Sequence, residues 1–181
     1  MPRLPSPTRA LVLVACMAVA LPACAKPPVS AKSPPSVAGE PSAKAAERLY
    51  LASRDADFGT QLQAFAPALH DAVQKDNACA AAADACEITS DPWLAGGGQE
   101  GGVEGAPRFS TLASGTRDAR VRMDYTYAWS ATQKEHQSTC VRLSRTAADA
   151  PWKLADLLPA CEQTRSLLGA LQRAYPGSAE P

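Results

Sequence analysis

The sequence predicts an α+β domain in which N-terminal helices precede a curved antiparallel sheet of about four strands, and a C-terminal helix closes the chain. Two patterns lead to this prediction. Apolar residues recur at helical spacing in the first half of the chain, whereas residues 119–129 alternate strictly between apolar and polar side chains. Helical spacing gathers apolar residues on one face of a helix, and alternation gathers them on one face of a strand.

Two helices are predicted before residue 84. Because proline is tolerated only in the first turn of a helix, Pro67 places the start of the second helix near Ala66, and we expect that helix to run to about Ala83. Gly59 separates the two helices. The apolar residues with helical spacing are Ala45, Ala46, Leu49 and Tyr50 in the first segment, and Leu62, Phe65, Leu69 and Val73 in the second.

Residues 119–129 are the clearest strand of the chain. Alternation over this length is typical of a half-buried antiparallel strand. Its apolar face consists of Val121, Met123, Tyr125, Tyr127 and Trp129. Three further strands are predicted at 108–112, 139–145 and 152–158, and a turn at 146–151 connects the last two. A closing helix is predicted at 162–174.

The N-terminus resembles the signal peptide of a bacterial lipoprotein. Arg3 and Arg9 precede an uncharged stretch of 14 residues, 10–23. This stretch has the size of a signal-peptide core, because a membrane-spanning helix needs about 20 apolar residues. The sequence Leu-Pro-Ala-Cys at 21–24 resembles a lipobox, which implies cleavage before Cys24 and acylation of its thiol with chains such as palmitate. The alternative is a simple secretory signal with an incidental cysteine.

The lipobox resemblance also predicts a location and a division of the chain. We expect a periplasmic protein anchored in the outer membrane, because Ala25 rather than Asp follows the cysteine. Residues 24–46 are rich in Pro, Ala and Ser and predict a disordered tether, since they hold too little apolar surface to fold. We expect a signal peptide at 1–23, the tether at 24–46, a single globular domain at 47–176 and a disordered tail at 177–181.

Four cysteines remain in the mature domain, and an even number in an exported protein indicates disulfide bonds. Three pairings are possible. We favour Cys79–Cys86, which closes a local loop, together with Cys140–Cys161, which ties a strand to the last helix. A zinc site is the alternative, but it typically needs closely spaced cysteine pairs or nearby histidines, and neither is present.

The charge balance and the polar motifs argue against several functional classes. Lys and Arg together number 18 and so do Asp and Glu, whereas a nucleic-acid-binding protein usually carries a basic excess. His70 is expected not to pair with its helix neighbour Asp71, and His136 is expected in a hairpin turn; neither lies in a recognisable catalytic motif. The Gly-rich stretch 96–102 lacks the Lys-Ser/Thr of a phosphate-binding loop. Asp91, Glu100 and Glu104 lack the spacing of a calcium-binding EF-hand.

We therefore expect a binding protein rather than an enzyme, with no catalytic residue, no metal and no cofactor. Arg120, Arg122 and Arg142 are predicted to share the outward face of the sheet, where a row of guanidinium groups suits carboxylates of a partner protein. The alternative is that this face of the sheet is an ordinary solvent-exposed surface with no partner. Trp93, Glu100 and Glu104, in and beside the Gly-rich loop 94–106, are further candidate contacts.

Several short segments of the domain resemble a known family. They are Tyr50-Leu51, Asp91-Pro92-Trp93-Leu94, the alternating strand to Trp129, the residues 141–145 and the residues 152–156. They are similar to a family of small exported bacterial domains of unknown function with a cystatin-like or nuclear-transport-factor-2-like fold. The resemblance implies an immunity protein that blocks a toxic effector delivered by a type IV or type VI secretion system.

The sequence also allows two alternative functions. The first is a small-molecule-binding or enzymatic envelope lipoprotein that uses the cone between sheet and helices. It predicts a deep pocket lined by Tyr125, Tyr127 or Trp129. The second is an envelope protein with a scaffolding role.

Overall fold

Three α-helices and a four-stranded antiparallel sheet form the part of the chain that the structure describes, which confirms the α+β class. The structure is a computed structural model, and it describes residues 39–82, 85–94 and 101–176. The elements are α1 (Ser42–Asp55), α2 (Pro67–Ala81), β1 (Gly102–Ser114), β2 (Asp118–Ala128), β3 (Lys134–Ser144), β4 (Lys153–Leu158) and α3 (Leu167–Ala174). Two short 3-10 helices, Phe58–Thr60 and Leu62–Ala64, connect α1 to α2.

Helix α1 begins earlier than the predicted start of the domain. It starts at Ser42, and Ala45 and Ala46 are both 0% exposed. The indole Nε1 of Trp152 donates a hydrogen bond of 3.0 Å to the carbonyl oxygen of Glu40. The predicted disordered tether is therefore wrong for residues 39–46, because small alanine side chains allow this helix to pack closely on the domain. The rest of the tether, the signal peptide with Cys24 and the tail 177–181 lie outside the described residues.

Helix α2 agrees closely with its prediction. Pro67 occupies the first turn, where its missing N–H costs no hydrogen bond. The apolar residues Leu69, Ala72 and Val73 are buried, as their spacing predicts. Its described part ends at Ala81, and residues 83–84 lie outside the described part of the chain.

The strands follow one another in the sheet in chain order, β1-β2-β3-β4, and all pairs are antiparallel. The predicted strand at 108–112 is too short, because β1 covers 13 residues and includes part of the expected Gly-rich loop. β-bulges allow β1 to continue through this stretch. Its register with β2 shifts between Glu104 and Arg108, where Gly105 has a φ of 73°. The predicted turn around His136 is also wrong, because β3 begins at Lys134 and His136 pairs with Thr126.

The two edges of the sheet differ. On the β4 side, Phe65 forms a parallel bridge with Leu154, and the Ala66 N–H donates to the Leu154 carbonyl at 2.7 Å. On the β1 side, no backbone hydrogen bond other than those to β2 is found within the described residues. Pro107 lies in this edge strand, which is where a sheet tolerates proline.

The inner face of the sheet packs against the helices and forms the core. Along β2, every second residue from Val121 to Tyr127 is at most 3% exposed, as the alternation predicts. Trp129, which was expected on the same face, lies beyond the strand end and is 37% exposed. Core side chains from the rest of the domain include Leu49, Tyr50, Leu69, Val73, Trp93, Val141, Leu143, Leu154 and Leu171.

Helix α3 is shorter than the predicted helix at 162–174 because it begins at Leu167. The Ser166 side chain accepts a hydrogen bond from the Gly169 N–H, and the Asp156 carboxylate accepts one of 2.9 Å from the Leu168 N–H. These two acceptors satisfy N–H groups that a helix start leaves unpaired, so they fix where the helix begins.

Both favoured disulfide bonds are present, Cys79–Cys86 and Cys140–Cys161. The first closes a loop after α2. The second joins β3 to the segment before α3, next to Leu158, which pairs with Cys140 and is 1% exposed. The segment before α3 is thereby tied to the outer face of the sheet at its β4 side.

Candidate functional site

The three arginines predicted to share the outer face of the sheet do so. The strand register pairs Arg120 with Arg142 and Arg122 with Cys140, whereas their neighbours Val121 and Val141 point to the core. Side chains alternate between faces along a strand, so the three arginines lie on the face opposite the helices. This outer face therefore carries the three arginines that the sequence indicated for partner binding.

One of these arginines is neutralised within the fold. The Arg122 Nε donates to the Asp124 carboxylate at 2.7 Å, and Asp124 also lies 3.7 Å from His136 Nε2. Arg108 of β1 pairs with Asp124 from the other side. Asp124 thus sits among basic groups and balances their charge, which leaves Arg122 little net attraction for a partner.

The other two arginines are less well balanced. Arg120 and Arg142 are direct cross-strand neighbours, an arrangement that destabilises a sheet when both charges have the same sign. The Arg142 Nη1 lies 3.9 Å from Asp156 Oδ2, which is too long for a hydrogen bond. Among the described residues, Arg120 makes no ion pair and no side-chain hydrogen bond.

A shallow groove of about 330 Å³ lies beside this pair of arginines. Its lining includes Arg120 and Arg142, and the small side chains of Ala113 on β1 and Ala155 on β4 flank them. Asp118 lies at the end of the groove near the β1–β2 turn. Small residues on both sides keep the groove open across all four strands.

The remaining predicted contacts do not join this surface. Trp93 is 1% exposed and packs edge-on against Tyr50 with 5.6 Å between ring centroids, so its prediction as a partner contact is wrong. Beside it, the Asp91 carboxylate accepts a hydrogen bond of 3.0 Å from the Trp93 N–H. Glu104 forms an ion pair with Lys134 at 2.6 Å. Glu100 lies outside the described residues.

Two of the aromatic residues predicted to line a pocket in the cone are buried in the described fold. Tyr125 and Tyr127 are 3% and 0% exposed and belong to the core cluster. The three grooves described are lined by other residues. Helices α1 and α2 and the segment at Trp93 fill the inner face of the sheet with apolar side chains.

An acidic cleft of about 450 Å³ lies between the end of α1, helix α2 and the segment 88–92. Asp57, Asp76 and Asp91 are among its lining residues. Burial raises the pKa of the Asp91 carboxyl above its ordinary value of 3.8, against the opposing effects of the Trp93 N–H and the Arg54 guanidinium. Each carboxylate has a partner within the protein, so the cleft is a structural feature.

Sequence reasoning missed two buried carboxylates that organise the fold. Asp76 is 4% exposed and accepts hydrogen bonds from the Glu87 N–H, the Ile88 N–H and the Tyr175 hydroxyl. This contact raises the pKa of the Tyr175 hydroxyl, because the hydroxyl donates to a carboxylate. Asp156 is 5% exposed and holds the start of α3. No local signal distinguishes them, because most of the groups that they bind are 11 or more positions away in the sequence.

The described residues contain no cluster of three or more His, Cys, Asp or Glu placed to hold a metal ion. His70 Nδ1 lies 2.9 Å from Asp71 Oδ1, although adjacent residues on a helix were expected not to pair; the two side chains meet at the helix surface. Within the described part of the chain, no helix is both long enough and apolar enough to cross a membrane.

Comparison with known proteins gives no relative from which a function could be transferred. No protein-family model, no curated protein and no solved structure matches this chain.

Proposed function

We propose that this protein is a periplasmic, lipid-anchored immunity protein that binds and neutralises a toxic antibacterial effector delivered by a type IV or type VI secretion system. The observation that carries the proposal is the exposed pair Arg120 and Arg142, whose charges are poorly balanced within the described fold. A surface with unmatched charge is suited to steering and orienting a protein partner of complementary charge.

The packing of the domain supports surface recognition. Core side chains occupy the inner face of the sheet, and Tyr125 and Tyr127 are buried among them. The outer face between β1 and β3 carries polar and charged side chains that reach solvent. A protein that acts by covering an effector needs such a surface and a stable scaffold behind it, and the two disulfides stabilise this scaffold.

The finer fold assignment belongs to the same proposal. Helices that precede a curved antiparallel meander are the arrangement expected of a cystatin-like or nuclear-transport-factor-2-like domain. The order α1, α2, β1-β2-β3-β4, α3 is compatible with that expectation.

The anchor is the second part of the proposal. Cys24 follows a stretch that resembles a lipobox, and acylation there would hold the domain at the periplasmic side of the outer membrane. An effector that attacks the cell envelope would meet the anchored domain at its site of action.

The test is protection against the product of the adjacent gene. That product, expressed with a periplasmic signal in a sensitive host, is expected to stop growth, and coexpression of the full chain is expected to restore it. A version that lacks residues 1–23 stays in the cytoplasm and is the matched control, which should give no protection. A harmless neighbour, or toxicity that the full chain does not relieve, contradicts the proposal.

A further inference from the structure

The geometry points to the groove between Arg120 and Arg142 as a binding site for a single carboxylate side chain, an Asp or Glu presented by the bound effector. This inference rests on the proposed function for its biological meaning and names the chemistry that the partner must offer. The site consists of the two arginines with Ala113 and Ala155 on either side.

The first argument is electrostatic. Arg120 and Arg142 are paired directly across adjacent strands, and like charges at paired positions repel. Among the described residues, the only carboxylate within 4.0 Å of the Arg142 guanidinium is that of Asp156, at 3.9 Å. The other oxygen of Asp156 already accepts hydrogen bonds from the Leu157 and Leu168 N–H groups. A further carboxylate between the arginines would relieve the repulsion and accept hydrogen bonds from both of them.

The second argument concerns donor geometry. A guanidinium presents a planar fork of N–H donors that matches the two oxygens of a carboxylate. Arg142 leaves donors available because its distance to Asp156 exceeds that of a hydrogen bond. Arg122, two residues from Arg120 on the same face, has its Nε engaged by Asp124 at 2.7 Å and serves as an internal comparison.

The third argument is size. A groove of about 330 Å³, flanked by alanines, admits one side chain and its neighbours rather than an extended polyanion. Asp118 at one end of the groove adds a negative charge that opposes a second anion. The site therefore fits one protruding acidic residue of a protein surface.

The experiment needs no knowledge of the effector. A capped peptide with one Glu between glycines is titrated into the isotope-labelled domain, and the backbone amide signals of Ala113 and Ala155 are followed by NMR. The same peptide with Gln in place of Glu is the control ligand. We expect the Glu peptide alone to shift these signals, and Arg120→Gln or Arg142→Gln to weaken its apparent affinity about tenfold or more, since each removes a charge-assisted hydrogen bond.

Two further variants sharpen the test. Arg122→Gln should leave the affinity unchanged, because this arginine is held by Asp124. Asp118→Asn should strengthen binding, because it removes a nearby negative charge. Equal shifts with the Gln peptide, or equal loss of affinity from Arg122→Gln, would overturn the inference. Because the titration contains no effector, its failure leaves the growth test of the immunity function independent, and the reverse also holds.

Discussion

At the residue scale, single carboxylates decide how distant parts of the domain meet. Asp76 on α2 joins the segment after the first disulfide to Tyr175 at the end of the domain, 99 positions away in the sequence. The buried Asp76 carboxylate accepts hydrogen bonds from the Glu87 and Ile88 N–H groups, and these bonds offset the cost of burying its charge. Such roles could not be predicted from the sequence, because the pattern around Asp76 is that of any polar residue on a helix.

Asp91 shows the electrostatic cost of burying a carboxylate. Its side chain is 30% exposed, and burial raises the pKa of its carboxyl. A group whose pKa is raised by folding contributes stability that is present below its ordinary value of 3.8 and is lost as the pH rises through the folded-state pKa. The ionised carboxylate at neutral pH therefore weakens the fold.

We expect the Asp91→Asn variant to gain stability relative to the parent protein as the pH rises. The asparagine oxygen still accepts the hydrogen bond from the Trp93 N–H, and no charge is desolvated. The difference in free energy of unfolding, measured by urea denaturation at several pH values, should grow from acidic to neutral pH. Arg54→Gln removes an opposing cation and should steepen the decline of the parent with pH. A difference that is constant with pH would contradict this account.

At the scale of elements, prediction succeeded where one local pattern determined the structure. Strict alternation gave β2 nearly residue by residue, and Pro67 marked the start of α2. It failed where distant groups set the limits: Asp156 and Ser166 begin α3 later than the apolar pattern suggests. The full extent of β1 was missed because Gly105 and Pro107 resemble a loop, whereas an edge strand with bulges accommodates both.

The two disulfides are expected to contribute unequally. Replacement of both Cys140 and Cys161 by alanine should lower the free energy of unfolding by about 3 kcal/mol, because the bond links residues 21 positions apart and restricts a long loop of the unfolded chain. The same replacement at Cys79 and Cys86, 7 positions apart, should cost about 2 kcal/mol. Guanidinium denaturation of the two variants under oxidising conditions measures the difference.

Loss of the second bridge should also expose the surface near Leu158, which lies next to Cys140. Increased binding of a hydrophobic dye by the Cys140/Cys161 variant, with none by the Cys79/Cys86 variant, would report this exposure. Equal stability of the two variants, or a larger effect at Cys79 and Cys86, would contradict the loop-length argument.

At the scale of the whole molecule, the folded domain extends further toward the N-terminus than composition indicated. The segment at Gly39–Ala46 contains Pro and small residues, which favour disorder when taken alone. Its contacts are made with distant elements: Trp152 with the Glu40 carbonyl, and Arg48 with the Glu40 carboxylate at 3.0 Å. Disorder was predicted because composition does not reveal that the rest of the fold provides these partners.

A chain shortened to begin at Glu47 should therefore lose about 3 kcal/mol or more of stability, from two buried alanines and several hydrogen bonds. A chain that begins at Gly39 is the matched control and should unfold at the same denaturant concentration as one that begins at Cys24. Equal stability of the chains that begin at Glu47 and Gly39 would show that the first turn of α1 contributes nothing.

The unequal edges of the sheet determine how copies of this protein can aggregate. The β4 edge is covered at Leu154 by Phe65 and Ala66. It therefore offers no continuous row of unpaired backbone N–H and C=O groups to a second molecule. Only β1 presents such a row within the described fold. In a fibril, each molecule pairs through two free sheet edges, one for each neighbour. A molecule with a single free edge can only form a dimer by this route. Accidental self-association by this route therefore ends with two molecules.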